Sequence, residues 1–174
     1  MALYLITGVA GTGKTTICYE LRARGFTAYD GDKDHLAHWY DKDWNITHYD
    51  GTAEFIRLHH RSIAAEVMDR LNREAINKPV FLCNDPDNEN ELQQAFAHIF
   101  ALVLDTETIK KRLSTRLSTT KNYEWGKLPH ELDLVLKQEH LVKARLKSSR
   151  YTAIDAAQTT AHIVDQILHN LQPA

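Results

Sequence analysis

Several features that mark other classes of protein are scarce in this sequence. Only two of its 174 residues are cysteine, Cys18 and Cys83, and both lie in apolar runs, where a small buried thiol is the usual case. No zinc site or disulfide framework follows from them. The sequence has no long apolar stretch, and its apolar segment at residues 2–6 lacks a basic leader and is too short for a signal peptide. We therefore expect a cytoplasmic protein with no membrane partner.

Positive charge is not in excess either. The chain has 21 Lys and Arg against 23 Asp and Glu, a formal net charge of -2, so general electrostatic capture of nucleic acid is disfavoured. There is no internal repeat and no linker long enough to separate two domains. Because 43% of the residues are hydrophobic, the chain can bury a sizeable core. We predict a single domain over residues 1–174.

Short apolar segments alternate with helical patterns along the chain. The predicted strands are Ala2–Thr7, Thr27–Tyr29, Val80–Cys83, Ile99–Leu104 and Tyr151–Ile154. The predicted helices are Thr15–Arg24, one long amphipathic helix over Thr52–Asn77, Glu91–Ala97, Thr106–Arg116, His130–Ser148 and Thr160–Leu171. The stretch at 30–50 is interpreted as loop and short helix. This alternation predicts a three-layer α/β/α fold with a parallel sheet of about five strands.

One motif carries most of the functional argument. The segment Gly8-Val-Ala-Gly-Thr-Gly-Lys14-Thr15 matches the Walker A pattern of the P-loop. Its glycines allow successive N–H groups to point at phosphate oxygens, and the following helix adds its positive end. Lys14 is expected to reach the outer phosphates and Thr15 to bind Mg²⁺. The predicted nucleotide-binding residues of this loop are Gly8, Val9, Ala10, Gly11, Thr12, Gly13, Lys14, Thr15 and Thr16.

A P-loop alone serves switches, motors and kinases, so other residues must decide between these classes. The Asn-Lys-x-Asp motif by which GTPases read the base is absent, since Asn77-Lys-Pro-Val80 and Thr120-Lys-Asn-Tyr123 both lack the aspartate. A GTPase switch is therefore disfavoured.

The chain resembles the nucleoside monophosphate kinase and shikimate kinase group. In that group a Walker A loop follows the first strand, an acidic residue follows the second, and an arginine-bearing lid follows the fourth. The corresponding features here are the P-loop, Asp30 and Asp32, and Arg112 and Arg116 ahead of a polar segment at 117–129. The chain is also similar to bacterial ATP-binding proteins of unassigned substrate. The shared segments are Tyr29-Asp-x-Asp32, Tyr123-x-x-Gly126-Lys127 and Ile154-Asp-Ala156.

The resemblance implies roles for individual residues. Asp32 would orient the acceptor hydroxyl or bind Mg²⁺ through water. Arg116 would stack on adenine or clamp the phosphates, with Arg112 or Lys127 as the alternative clamp. Backbone at Ala156 would read the adenine edge, which favours ATP over GTP. The implied cofactors are ATP and Mg²⁺, and the segment at 117–129 would be a small mobile lid.

Other residues have two interpretations that the sequence leaves open. Asp85 follows an apolar strand, so it is either the carboxylate that steadies Mg²⁺ through water or a turn former before Pro86. Arg57 and Arg61 either hold an anionic acceptor, as the resemblance to shikimate kinases implies, or lie on the surface. Trp39, Tyr40 and Trp44 either stack on a ring-bearing acceptor or contribute to packing.

The sequence therefore predicts a P-loop kinase that transfers the γ-phosphate of Mg-ATP to a small-molecule hydroxyl or phosphate, with a nucleoside or nucleotide as one candidate acceptor. Lys14, Asp32, Arg112 and Arg116 are the predicted catalytic residues, and Thr15, Asp32 and Asp85 the predicted Mg²⁺ ligands. Two alternatives remain: a regulatory ATPase that acts by lid closure, and a polynucleotide 5′-hydroxyl kinase.

Overall fold

The computed structural model of the chain describes residues 2–119 and 125–171, of which 116–119 are described by their backbone alone. Its strands are β1 (Leu3–Thr7), β2 (Thr27–Asp30), β3 (Ala37–Tyr40), β4 (Ile46–Thr47), β5 (His60–Ile63), β6 (Val80–Cys83), β7 (His98–Val103) and β8 (Tyr151–Asp155). Five of them form one parallel sheet in the order β2-β6-β1-β7-β8. The predicted parallel sheet of about five strands is confirmed.

Helices flank this sheet. They are α1 (Lys14–Ala23), α2 (Ala53–Leu58), α3 (Ala65–Ala75), α4 (Glu89–Leu92), α5 (Thr106–Thr119), α6 (Pro129–Arg145) and α7 (Thr160–His169), with a 3-10 turn at Gln93–Ala95. The first helix packs against β2, β6 and α7, and α3 packs against β1 and β6. Over the described residues, no helix combines the length and the apolar character needed to cross a lipid bilayer.

The central strand β1 explains why the site lies where it does. All five of its residues are buried, because helices cover both faces of a parallel sheet. Its neighbours pair in parallel register, with Ile6 opposite Cys83 and Cys83 opposite Asp30. The segments that follow β1, β6 and β2 therefore leave the sheet at the same edge, which is where open parallel sheets bind ligands.

A second, smaller sheet is inserted between β2 and α3. It is antiparallel, in the order β4-β3-β5, and Trp39 lies directly opposite Arg61. The prediction of loop and short helix for residues 30–50 was therefore wrong over β3 and β4. Each of these strands is short, and only pairing with a distant segment makes it a strand.

The prediction of one long helix over Thr52–Asn77 was also wrong. The chain forms α2, then β5, then α3 in this region. Thr52 caps α2 by accepting a hydrogen bond from the N–H of Phe55 at 3.0 Å, and His59 stacks on Phe55 as the helix ends. The apolar residues on either side of this break keep a helical spacing by coincidence, because tertiary pairing of β5 with β3 prevails over local periodicity.

Smaller differences concern the ends of elements. The fifth helix runs to Thr119, into the segment predicted as a lid, and α6 begins at Pro129. Residues 120–124 of the predicted lid lie outside the described residues. Cys18 and Cys83 are both free and buried, as predicted.

A pair of isoleucines in the inserted sheet tests its attachment to the core. Ile63 is fully buried and belongs to the main hydrophobic cluster, whereas Ile46 is 57% exposed. We expect Ile63→Ala to lower the free energy of unfolding by about 2–5 kcal/mol, since it leaves a cavity. The control Ile46→Ala should change it by less than about 0.5 kcal/mol. Urea unfolding measures both, and equal effects would contradict the burial of β5.

Candidate active site

The P-loop joins the end of β1 to the start of α1. Gly8, Gly11 and Gly13 have φ angles of 142°, 87° and 100°, a region that favours glycine. The loop is held from inside by Thr12, whose N–H and hydroxyl donate to the carbonyl of Val9 at 3.3 and 2.8 Å. The result is a curved loop that ends at the N-terminus of a ten-residue helix, an arrangement suited to anions.

Steric contact also fixes the first glycine. A Cβ at Gly8 would lie 2.8 Å from the carbonyl oxygen of Leu102 and 2.9 Å from Thr12 Oγ1, so only glycine fits there. The ammonium of Lys14 donates to the carbonyls of Gly8 and Val9, to the latter at 3.2 Å. Lys14 therefore lies across the mouth of the loop. Of the other predicted loop residues, Ala10 and Thr15 are half-buried and Thr16 is exposed.

A tight acidic turn follows β2 and presents Asp32. Asp30 is buried, and its Oδ1 accepts from the N–H groups of Asp32 and Lys33 at 3.0 Å each. Asp34 in turn accepts from the N–H of Asp30 at 2.8 Å and pairs with Arg22. Asp30 and Asp34 therefore shape the turn, whereas the hydrogen bonds described for the Asp32 carboxylate come from outside it.

The carboxylate of Asp32 is held from two directions. Its Oδ1 accepts from Arg61 Nη2 at 2.5 Å, Arg61 Nε at 3.2 Å and Asn84 Nδ2 at 3.2 Å. Partial removal from water raises the pKa of Asp32, but Arg61 above all, with Lys14 and Asn84, outweighs that effect and brings the pKa below 3.8. Asp32 is therefore ionised at neutral pH, and its side chain is 54% exposed.

Asn84 reaches Asp32 by passing close over a glycine. A Cβ at Gly31 would lie 2.4 Å from Asn84 Nδ2 and 2.5 Å from Asn84 Cγ. Asn84 itself is 3% exposed, and its Oδ1 is buried without a hydrogen-bond partner among the described residues. The contact between Gly31 and Asn84 thus sets the position of one of the two groups that hold Asp32.

Asp85 lies beside a buried network at the same edge. Glu89 is fully buried, and its carboxylate accepts from Tyr151 and Arg145, each at 2.8 Å, and from the Thr7 hydroxyl at 2.7 Å. The same hydroxyl is 3.2 Å from Asp85 Oδ1. Burial raises the pKa of Asp85 to about 6; Lys14 opposes this rise and Glu89 adds to it.

Arg112 and Ala156 lie beside the P-loop. Arg112 donates to the carbonyl of Gly11 at 3.4 Å and to that of Ala156 at 2.9 Å. The N–H of Ala156 donates to Val103 at 2.9 Å. Arg112 thus joins the P-loop to the segment after β8. Arg116 lies in α5, and its side chain falls outside the described residues.

The oxygen ligands near the P-loop fit Mg²⁺ as it is usually bound with a nucleotide. Mg²⁺ takes one or two protein oxygens and completes its shell with phosphates and water. Thr15 is on the first turn of α1, Asp32 and Asp85 lie at the same sheet edge, and no group of three or more His, Cys, Asp or Glu side chains within the described ranges could hold a metal alone. This donor set suits a cation that arrives with ATP.

Sequence reasoning singled out Lys14 and Asp32, which the structure brings to one edge, but it missed Glu89. A glutamate at the start of a polar helix gives no sign of burial, and its partners Arg145 and Tyr151 are 56 and 62 residues away.

Trp39 packs with Tyr49, Phe55 and Trp125, with ring centroids 5.4–5.7 Å away.

A P-loop on the central strand of a five-stranded parallel sheet flanked by helices defines a P-loop NTPase of the small-molecule kinase fold. The family model described as an AAA domain matches residues 5–126. This match covers more than half of the chain, and the chain belongs to that family. A search of curated protein sequences finds no match.

Solved structures share the fold at low identity. A gluconokinase from Sinorhizobium meliloti 1021 is 17% identical, with a TM-score of 0.56 over 95% of this chain and 89% of that one. A deoxyadenosine kinase from M. mycoides with bound dATP is 12% identical, with a TM-score of 0.56 over 97% and 98%. A shikimate kinase from Acinetobacter baumannii in complex with shikimate is 16% identical, with a TM-score of 0.53 over 98% and 94%.

The raised pKa of Asp85 predicts a pH-dependent stability. Because the folded-state pKa of about 6 exceeds the ordinary 3.8, the protonated form stabilises the fold below pH 4, and this contribution is lost as the pH rises through 6. The difference between these two pKa values corresponds to about 3 kcal/mol in the free energy of unfolding. Asp85→Asn should therefore match the wild type near pH 4 and exceed it by about that amount at pH 8, as urea unfolding without nucleotide would measure. Parallel pH profiles for the two proteins would contradict this assignment.

Gly31 offers a second test. Gly31→Ala should displace Asn84, lower the free energy of unfolding by about 1–3 kcal/mol and weaken any activity that depends on Asp32. Gly25→Ala is the control, because Gly25 has a φ of 85° but nothing within 4 Å of an added Cβ. It introduces backbone strain without a clash at the site and should leave activity unchanged. Equal activity in the two variants would argue against a role for the Asn84 contact.

Proposed function

We propose that this protein is an ATP-dependent phosphotransferase that moves the γ-phosphate of Mg-ATP to a hydroxyl of a small molecule. One observation carries the proposal. The P-loop lysine, Lys14, and an oriented, ionised carboxylate, Asp32, lie at one edge of the sheet, close enough for Lys14 to lower the pKa of Asp32. A kinase needs both, since one side binds the donor and the other orients the acceptor.

The proposed reaction is a direct transfer. The acceptor oxygen attacks the γ-phosphorus, the bond from that phosphorus to the β–γ bridging oxygen breaks, and ADP leaves. Asp32 orients the acceptor hydroxyl and takes its proton, for which its low pKa is suited because transfer of that proton is late in a loose transition state. Its Oδ2 is the oxygen for this task, since the hydrogen bonds from Arg61 and Asn84 both end on Oδ1.

The donor side neutralises charge. Lys14 contacts the outer phosphates, and backbone N–H groups of residues 8–15 hold the remaining oxygens. Thr15, Asp32 and Asp85 would supply the protein oxygens that hold Mg²⁺ with ATP, and the ion would add positive charge beside the transferred phosphate. We assign Arg112 and Arg116, on consecutive turns of α5, to the phosphate clamp, and Ala156 to the wall of the adenine site.

Removal of the P-loop lysine tests the proposal. Lys14→Ala should reduce phosphoryl transfer at least ~100-fold, because it removes a charge that acts in the transition state, while the melting temperature stays near that of the wild type. Lys137→Ala, an exposed lysine on α6, is the matched control and should retain full activity. ADP release from Mg-ATP is measured with separate additions of nucleosides, nucleoside monophosphates, cyclic sugars, sugar acids and short oligonucleotides.

The same assay separates the rival functions. Turnover stimulated by one class of small acceptor and abolished in Lys14→Ala supports the kinase. A slow, uniform hydrolysis that no acceptor stimulates would indicate a regulatory ATPase, and stimulation by oligonucleotides would indicate a polynucleotide kinase. Full activity of Lys14→Ala would overturn the assignment of the P-loop.

A further inference from the structure

The charges at the acceptor edge are balanced within the chain. Two arginines reach this edge, and each is paired with a carboxylate: Arg61 with Asp32 at 2.5 Å, and Arg145 with Glu89 at 2.8 Å. Glu89 is fully buried and Arg145 is 22% exposed, so the second pair is held firmly. The charge of each guanidinium is thus partly neutralised by a carboxylate of the same chain, which weakens its attraction for a substrate carboxylate or phosphate.

Two further carboxylates add negative charge at this edge. Asp85 and Asp87 follow β6 in the same loop, and Asp87 accepts from the backbone N–H of Arg61 at 2.6 Å. Lys14 is directed at the P-loop carbonyls, on the donor side. Mg-ATP is itself a net anion, so an acceptor with a further negative charge would meet repulsion. Lys33, in the turn beside Asp32, is exposed to solvent, where its charge is screened.

An aromatic side chain adjoins these charges. Trp39 lies directly opposite Arg61 in the antiparallel register of β3 and β5, and residues opposite each other share one face of a sheet. Trp39 is half-buried and packs with Tyr49, Phe55 and Trp125, so it belongs to an aromatic cluster that is not fully closed off from solvent. The face of the inserted sheet that touches Asp32 through Arg61 thus combines a hydrogen-bonding group with a flat apolar surface, which suits a ring.

We propose that the acceptor is an uncharged, hydroxyl-bearing ring compound, held between Asp32 and the Trp39 face of the inserted sheet. This inference rests on the proposed kinase function and deepens it by naming the class of acceptor. Nucleosides and cyclic sugars share this chemistry. Nucleoside monophosphates, sugar acids and other carboxylates do not.

Matched pairs of acceptors test the proposal. Each pair differs by one anionic group: a nucleoside and its 5′-monophosphate, glucose and glucuronate, methyl shikimate and shikimate. The phosphorylated product is identified by mass spectrometry, and kcat/KM is measured with Mg-ATP. We expect kcat/KM to be at least ~10-fold higher for the neutral member of a reactive pair than for the anionic member. Which of the pairs reacts shows whether the acceptor is a nucleoside or a sugar. Preference for the anionic member would overturn the inference while leaving the kinase function intact, whereas reaction with no acceptor would remove both.

A binding measurement probes the charge balance independently of turnover. Asp32→Asn removes the partner of Arg61, so the affinity for the anionic member of a pair should rise by about tenfold relative to the neutral member. Isothermal titration in the presence of a non-hydrolysable ATP analogue measures this ratio. Asp43→Asn, at an exposed position of the β3–β4 hairpin, makes the same change of charge and should leave the ratio unchanged. An unchanged ratio in Asp32→Asn as well would contradict the neutralisation of Arg61.

Discussion

The ion pair between Arg61 and Asp32 joins the two sheets of the protein. Asp32 follows β2 of the parallel sheet, and Arg61 lies within β5 of the inserted sheet. With side-chain exposures of 29% and 54%, a pair of this kind contributes little to the free energy of folding. Its effect is geometric, because two nitrogens of one guanidinium fix one carboxylate oxygen. The Asp32 carboxylate is therefore held in this orientation only when the inserted sheet is folded against the parallel sheet.

The two carboxylates at this edge differ because their surroundings differ. Asp32 faces Arg61, and its pKa is lowered; Asp85 is more deeply desolvated beside Glu89, and its pKa is raised to about 6. Separate environments of this type give separate roles. Asp32 is ionised at neutral pH without a bound cation, as the proposed role of proton acceptor requires. Lys14 opposes the rise in the pKa of Asp85, and a nearby metal cation would favour its charged form further, in keeping with its proposed role as a Mg²⁺ ligand.

The sequence predicts the part of the fold that local patterns encode. Continuous apolar strands such as β1 and β6 and the P-loop between β1 and α1 need no distant partner to be recognised, and Asp32 follows from its position after β2. The inserted sheet could not be predicted, since β3 and β5 are four residues each and become strands only by pairing across the 19 residues between Tyr40 and His60. Glu89 was missed for a related reason: its burial depends on Arg145 and Tyr151, which approach it only in the folded chain.

Packing links the P-loop to the inserted sheet through the segment at Trp125. The Trp125 ring lies 5.7 Å from that of Trp39 in β3. The next residue, Gly126, is packed so closely on Leu113 of α5 that an added Cβ would approach it to 3.2 Å, and Leu113 also lies against Gly11 of the P-loop. Close-packed interiors transmit displacement, because no empty space absorbs it. The P-loop and β3 are therefore connected by packing through Leu113, Gly126 and Trp125.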